Sequence, residues 1–112
     1  MKKCVVLSDS FKGSISSTEI GRIVREECVR QFTGCAVSAV PVADGGEGTA
    51  ECFEAALGAV RIPVKVSGPF GEQIDTFYVR KGKTAVIEMA KAAGLPMAAG
   101  RLDPLNATTY GV

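Results

Sequence analysis

A change of rhythm near residue 58 limits this chain's fold more than any other feature. Before it, short apolar runs alternate with stretches of helical periodicity. "KKCVVLSD" is a compact apolar run of the kind a buried parallel strand shows. After the loop "SDSFKGS", Ser16-Ser17-Thr18-Glu19 fits a capping box, with Glu19 reaching back to the start of the helix. Ile20, Ile23, Val24, Cys28 and Phe32 then recur at helical spacing, and Thr33-Gly34 ends the helix. "AVSAVPVA" is a second strand-like run, in which Pro41 argues for an edge or a strand end. Ala50, Phe53, Ala56 and Leu57 form the stripe of a second helix, stopped by Gly58. Helices of this length suit right-handed crossovers, so the first half reads β-α-β-α with a parallel sheet.

Beyond residue 58, "VRIPVKV", "QIDTFYV" and "KTAVIEM" are separated by the turn clusters "SGPFGE" and "RKGK", which reads as an antiparallel meander. A helical turn is expected around Met89–Ala93, ended by Gly94 and Pro96. The remainder, "MAAGRLDPLNATTYGV", has little periodicity and no closing element, so the chain is expected to be cut off from packing partners.

Composition excludes several classes. With 112 residues the chain is about one domain long, and its net charge of +1 and lack of a basic face argue against nucleic acid. The N-terminal apolar run is too short for a secretory signal and no stretch approaches a membrane span, so a cytoplasmic protein is expected. Cys4, Cys28, Cys35 and Cys52 lack metal-ligand spacing and read as small core-filling residues, and in that compartment the "NAT" at Asn106 stays unglycosylated. The chain has no histidine, so acid–base chemistry falls to Asp, Glu, Lys or Tyr.

Two loops follow predicted parallel strands at their carboxyl ends, where open α/β sheets bind ligands. The first carries Ser8, Asp9, Ser10, Lys12, Gly13 and Ser14; the second carries Asp44, Gly45, Gly46, Glu47, Gly48 and Thr49. Glycines let backbone amides approach an anion at a helix start, and Lys12 supplies a point charge. Asp9, Asp44 and Glu47 suit either a magnesium ion held through water or the proton of a substrate hydroxyl. The second loop also fits a plain helix start, in which Asp44 or Glu47 caps the helix. Neither loop is GxxxxGK[ST] or GxGxxG. Glu88, inside an apolar run, must face solvent, find a partner such as Lys91, or belong to a site. Thr108, Thr109 and Tyr110 form a hydroxyl-rich ending suited to an anion or to a disordered tail.

"SDSFKGSISSTE", "VPVADGGEGT", "VSGPFGE", "KTAVIEMAKAAGL" and "DPLNATTYGV" together resemble the glycerate kinases of the bacterial type, in order and spacing. The resemblance implies a flavodoxin-like α/β domain, begun by residues 1–62, into which a second, β-rich domain is inserted, begun by residues 63–112. It implies transfer of the γ-phosphoryl group of ATP to a hydroxyl of glycerate, with Mg2+. Carried over by position, Asp9, Ser10 and Lys12 fall in the family's first loop, Asp44 to Thr49 in its second, and Glu88 and Thr108-Thr109-Tyr110 in later motifs. Catalysis is then expected from Asp9, Lys12 and Asp44, the two aspartates also being the expected magnesium ligands. Substrate or phosphate contacts are expected from Ser10, Ser14, Gly45, Gly46, Glu47, Gly48, Thr49, Glu88, Thr108, Thr109 and Tyr110. Asp103 stands where the family commonly has Asn, and the family's chains are roughly three times longer, as expected for more than one domain. The chain thus reads as an N-terminal piece, inactive alone, whose exposed apolar surface is open to self-association. The competing reading is a non-enzymatic anion- or nucleotide-binding α/β module.

Overall fold

The computed structural model describes residues 2–112. The chain falls into two compact units, the first ending at Asp44 and the second running from Gly45 to Val112.

In the first unit, β1 (Lys3–Ser8) and β2 (Ala36–Pro41) pair in parallel, joined by α1 (Ser17–Gln31). The register runs from Lys3 opposite Ala36 to Ser8 opposite Pro41, so both strands end at the same sheet edge. At the start of α1, Ser16 accepts from the Glu19 amide at 3.2 Å. The reciprocal half of the expected capping box does not form. The Glu19 carboxylate instead takes the Arg22 guanidinium, whose Nε is 3.0 Å away, because a charged partner one turn on outcompetes a neutral amide. Gly21 is buried where α1 crosses β2; a Cβ there would lie 3.1 Å from that of Ala39, so glycine sets the helix-to-strand distance. The strands alternate in exposure, with Val5 and Leu7 67% and 63% exposed. The expected doubly buried strand is therefore covered on one face only within this unit. Cys4 and Cys28 meet between β1 and α1, their sulfurs 3.6 Å apart, and none of the four cysteines is in a disulfide.

The second unit opens with α2 (Thr49–Leu57) and continues through β3 (Val60–Ser67), β4 (Gln73–Lys81) and β5 (Thr84–Val86), an antiparallel meander in the order β3-β4-β5. A short helix, α3 (Ala90–Ala93), and a 3-10 turn (Leu95–Ala98) follow. Both α2 and α3 pack on β4, and Ala50, Val79 and Ala92 form the small buried core. The apolar run predicts a third strand reaching Met89, yet β5 stops at Val86. The reason is Glu88, which turns inward with 3% of its surface exposed.

The division by compactness lies at 44/45, apart from the domain boundary after residue 62 that the resemblance implies. The difference is α2, which is tied to the meander by charge. Arg61 donates to the Glu54 carboxylate from Nε at 2.9 Å, and Lys91 Nζ meets Glu51 Oε1 at 2.5 Å. The last segment is held as well. Thr108 donates its amide to the Pro69 carbonyl at 2.8 Å, and Gly111 lies against the backbone of Ser67 with no room for a side chain.

Candidate functional site

The first loop leaves β1 at Asp9. Asp9 Oδ1 accepts the amide of Ser10 at 2.7 Å, which folds the carboxylate over its own backbone. Residues 11–15 then close into a small hairpin in which Phe11 and Ile15 exchange backbone bonds at 3.0 and 3.1 Å. Gly13, at φ +72, makes the turn and leaves Lys12 and Ser14 exposed at its tip. Ser10 Oγ is buried without a hydrogen-bond partner among the described residues. A buried hydroxyl in that condition is costly unless an acceptor reaches it.

The two strand ends are fastened to each other by a residue that the sequence pattern marks only as part of a helix start. Ser17 donates its hydroxyl to the Ser8 carbonyl and accepts the Val42 amide at 3.2 Å. The segments carrying Asp9 and Asp44 therefore leave the sheet from one braced edge. No local pattern marks Ser17 for this, since its partners are nine residues upstream and 25 residues downstream.

The glycine-rich loop departs from the expected cap. Gly48, not Asp44 or Glu47, occupies the N-cap of α2, at φ +91, and has no side chain with which to cap. Thr49 folds back on the loop, its Oγ1 donating to the Gly46 carbonyl at 2.8 Å. The cap comes from Glu88. Gly48 N donates to its Oε1 at 3.2 Å and Ala50 N to its Oε2 at 2.9 Å. Two amides and the positive end of the α2 dipole thus hold this carboxylate. The expected partner, Lys91, stands 4.0 Å from Glu88 Oε1 and makes its closer contact with Glu51. Both Glu88 oxygens are thus engaged by backbone amides of the loop and the helix start. Glu47 is exposed.

The remaining expected contacts lie farther along the second unit. Thr108 and Thr109 line a cavity of about 680 Å³ with Phe70, Leu95, Arg101 and Asp103 among its walls. Arg101 stacks on the Phe70 ring at 4.1 Å. Asp103 organises the turn before the threonines: Asn106 donates to its side chain at 2.8 Å, and that bond, with Arg101 nearby, holds its carboxyl below the usual range. Tyr110 is exposed.

No group of three or more metal-ligating side chains occurs among the described residues. Magnesium in phosphoryl-transfer sites uses one or two carboxylates together with water and substrate phosphates. Asp9 at its strand end suits that mode of attachment.

A parallel sheet edge with an acidic loop and a lysine hairpin, followed along the chain by a glycine-led helix and an antiparallel meander, defines an α/β protein. The sequence comparison narrows the class. The profile of the Glycerate kinase family matches residues 4–112. The chain belongs to that family. It is 39% identical to the glycerate 2-kinase of Escherichia coli K12, over 97% of this chain and 29% of that protein. The glycerate kinase of Bacillus subtilis 168 is 38% identical over 97% of this chain and 29% of its own length. A solved structure from Salmonella typhimurium LT2, provisionally assigned as glycerate kinase 2, superposes with a TM-score of 0.71 at 36% identity, covering 98% of this chain and 30% of that one. The chain thus spans about 30% of the relatives it matches.

Proposed function

We propose that this chain is the N-terminal portion of an ATP-dependent glycerate kinase, transferring the γ-phosphoryl group to a hydroxyl of glycerate. The family match along residues 4–112 carries the reading. The acids and the lysine required for such chemistry stand on the loops described, and Ser10 Oγ offers an unpaired buried hydroxyl to an incoming oxyanion. Asp9, half-buried at the end of β1, and Asp44, after β2, divide two tasks: accepting the glycerate hydroxyl proton and attaching Mg2+. The magnesium ion supplies charge neutralisation at the transferring phosphoryl group. Lys12, exposed at its hairpin tip, neutralises a phosphate or carboxylate oxygen. Gly45, Gly46, Glu47, Gly48 and Thr49, which open the second unit, are proposed as further substrate or phosphate contacts. Phosphoryl transfer depends mainly on positioning and charge, so none of these roles needs histidine.

In this reading residues 1–62 begin a flavodoxin-like domain and residues 63–112 begin an inserted one, with the rest of the enzyme needed for turnover. None of the described helices is long and apolar enough to cross a membrane; the reading takes the enzyme to be cytoplasmic. Val5 and Leu7 in the first unit and, separately, Leu105 in the second are largely exposed and offer each unit apolar surface for self-association of the isolated chain.

The test is an ATP-coupled assay with glycerate on the full-length form and on this chain alone. The full-length enzyme is expected to turn over and the isolated chain is not. Lys12→Ala and Asp44→Asn are each expected to lower kcat by roughly a hundredfold or more, the scale of a lost charge-stabilising or acid–base group. Near-parental activity in either removes that residue from the mechanism. A full-length form that fails to phosphorylate glycerate removes the assignment and leaves the anion-binding module.

A further inference from the structure

We propose that Glu88 is a positioning residue of this enzyme: it sets the backbone of the Gly45–Thr49 loop through the amides of Gly48 and Ala50. The inference rests on the glycerate kinase reading above for its catalytic consequence, while its structural half stands on geometry alone.

A surface helix is ordinarily capped by the residue at its own start, with Ser, Thr, Asp or Asn there. α2 has glycine at that position, at φ +91, a conformation that side-chain-bearing residues rarely adopt. A glycine there gives the amides of the first turn of α2 no side-chain acceptor from the helix's own start. The cap has been delegated to a residue 40 positions away, at the end of the β-meander. Glu88 reaches in from just beyond β5, and its two oxygens bracket Thr49 by taking the amides on either side. A local cap would let the loop and helix move as one piece. A remote carboxylate fastens the loop to the sheet.

The arrangement needs support, because a buried carboxylate is strongly disfavoured without partners. Three features supply it: the two amide bonds, the α2 dipole, and Lys91 at 4.0 Å. Lys91 is itself held by Glu51 at 2.5 Å and stands over the Phe77 ring at 4.9 Å. Thr76 donates its hydroxyl to the Lys91 carbonyl at 3.0 Å, which anchors that turn to β4. The side chain has no surface left for a substrate, so its influence on the reaction runs through the loop.

The test uses the full-length enzyme with Glu88→Gln and Glu88→Asp. Glutamine keeps the shape but turns an NH2 group toward one of the two amide donors. Hydrogen exchange at residues 48–50 is expected to accelerate about tenfold or more, the scale of losing a charge-assisted hydrogen bond. Well below the melting temperature, kcat is expected to fall about tenfold, with KM for ATP and for glycerate changing less than about threefold. Aspartate keeps the charge but falls short by one methylene, so it is expected to restore part of both losses. Unchanged exchange at 48–50 in Glu88→Gln overturns the clamp. Faster exchange with kcat per folded molecule unchanged overturns the positioning role, leaving a stabilising one. A selective rise in one KM overturns it in favour of direct ligand contact. If Glu88→Gln does not fold, the aspartate variant decides by the same readouts. An inactive parent enzyme would refute the glycerate kinase reading, and the exchange measurement would still decide whether Glu88 holds the loop.

Discussion

Replacing Gly111 by alanine probes whether the hydroxyl-rich segment Thr108-Thr109-Tyr110 is docked or loose. Gly111 is not among the glycines at positive φ, so alanine meets no conformational penalty there. It meets a steric one: its Cβ would lie 1.8 Å from the Ser67 carbonyl oxygen and 2.7 Å from the carbonyl carbon. A carbon and a carbonyl oxygen come no closer than about 3.3 Å, so the segment must retreat by about 1.5 Å. A shift of that size breaks the 2.8 Å bond from the Thr108 amide to the Pro69 carbonyl. The lost bond and the disturbed packing together cost about 1–3 kcal/mol. For a unit of this size each kcal/mol lowers Tm by roughly 4–8 °C. Thermal melting would register the total, and hydrogen exchange would localise it to Thr108 while β3 and β4 stay protected. Gly100→Ala is the control, because its Cβ points into open space and only the φ of +88 opposes it. That variant should lose about 1–2 kcal/mol without exposing the Thr108 amide. A Gly111→Ala protein with Tm within about 1 °C of the parent and Thr108 still protected would refute the docking argument.

Other outcomes follow from the same geometry. Gly48→Ala should destabilise by about 1–2 kcal/mol through backbone strain alone, since no atom crowds the added methyl; an unchanged melting curve would contradict the left-handed conformation at the N-cap. The Glu54 carboxyl is held below its ordinary range by hydrogen bonds from Arg61, so its folded value lies under its unfolded one. Its stabilisation is therefore present above the unfolded value of about 4.3 and is lost as pH falls through the folded value. Comparing the parent with Glu54→Gln from about pH 7 to pH 3 should show a stability difference that is flat at first and closes in acid; a constant difference would be inconsistent with the pair. The Cys28 thiol is pushed up by its hydrogen bond to the Cys4 sulfur and by burial. Its alkylation at about pH 8 should be slower than that of a free cysteine and should quicken in Cys4→Ala; equal rates in parent and variant would oppose the contact.

The elements whose signals are local are legible in the sequence. Helical spacing from Ile20 to Phe32 marks out α1, Ser16 marks its start, and Thr33-Gly34 marks its end. The clusters around Gly68–Glu72 and Gly82 announce the meander turns, because tight turns are written in the residues that make them. The two loops that follow β1 and β2 and the family likewise show in contiguous motifs, which residues 4–112 carry throughout. What only tertiary structure decides depends on partners far apart in the chain. By its neighbours alone Glu88 is equally suited to be solvated, paired or part of a site; its burial against amides 40 and 38 residues away makes it a cap. Ser17 is an ordinary helix-start serine until Ser8 and Val42 close on its hydroxyl. The allegiance of α2 to the meander likewise rests on Arg61 and Lys91, charges whose reach no periodicity records. Hydrogen bonds and ion pairs act through space at about 3 Å, whereas sequence patterns report only what a few neighbouring residues prefer.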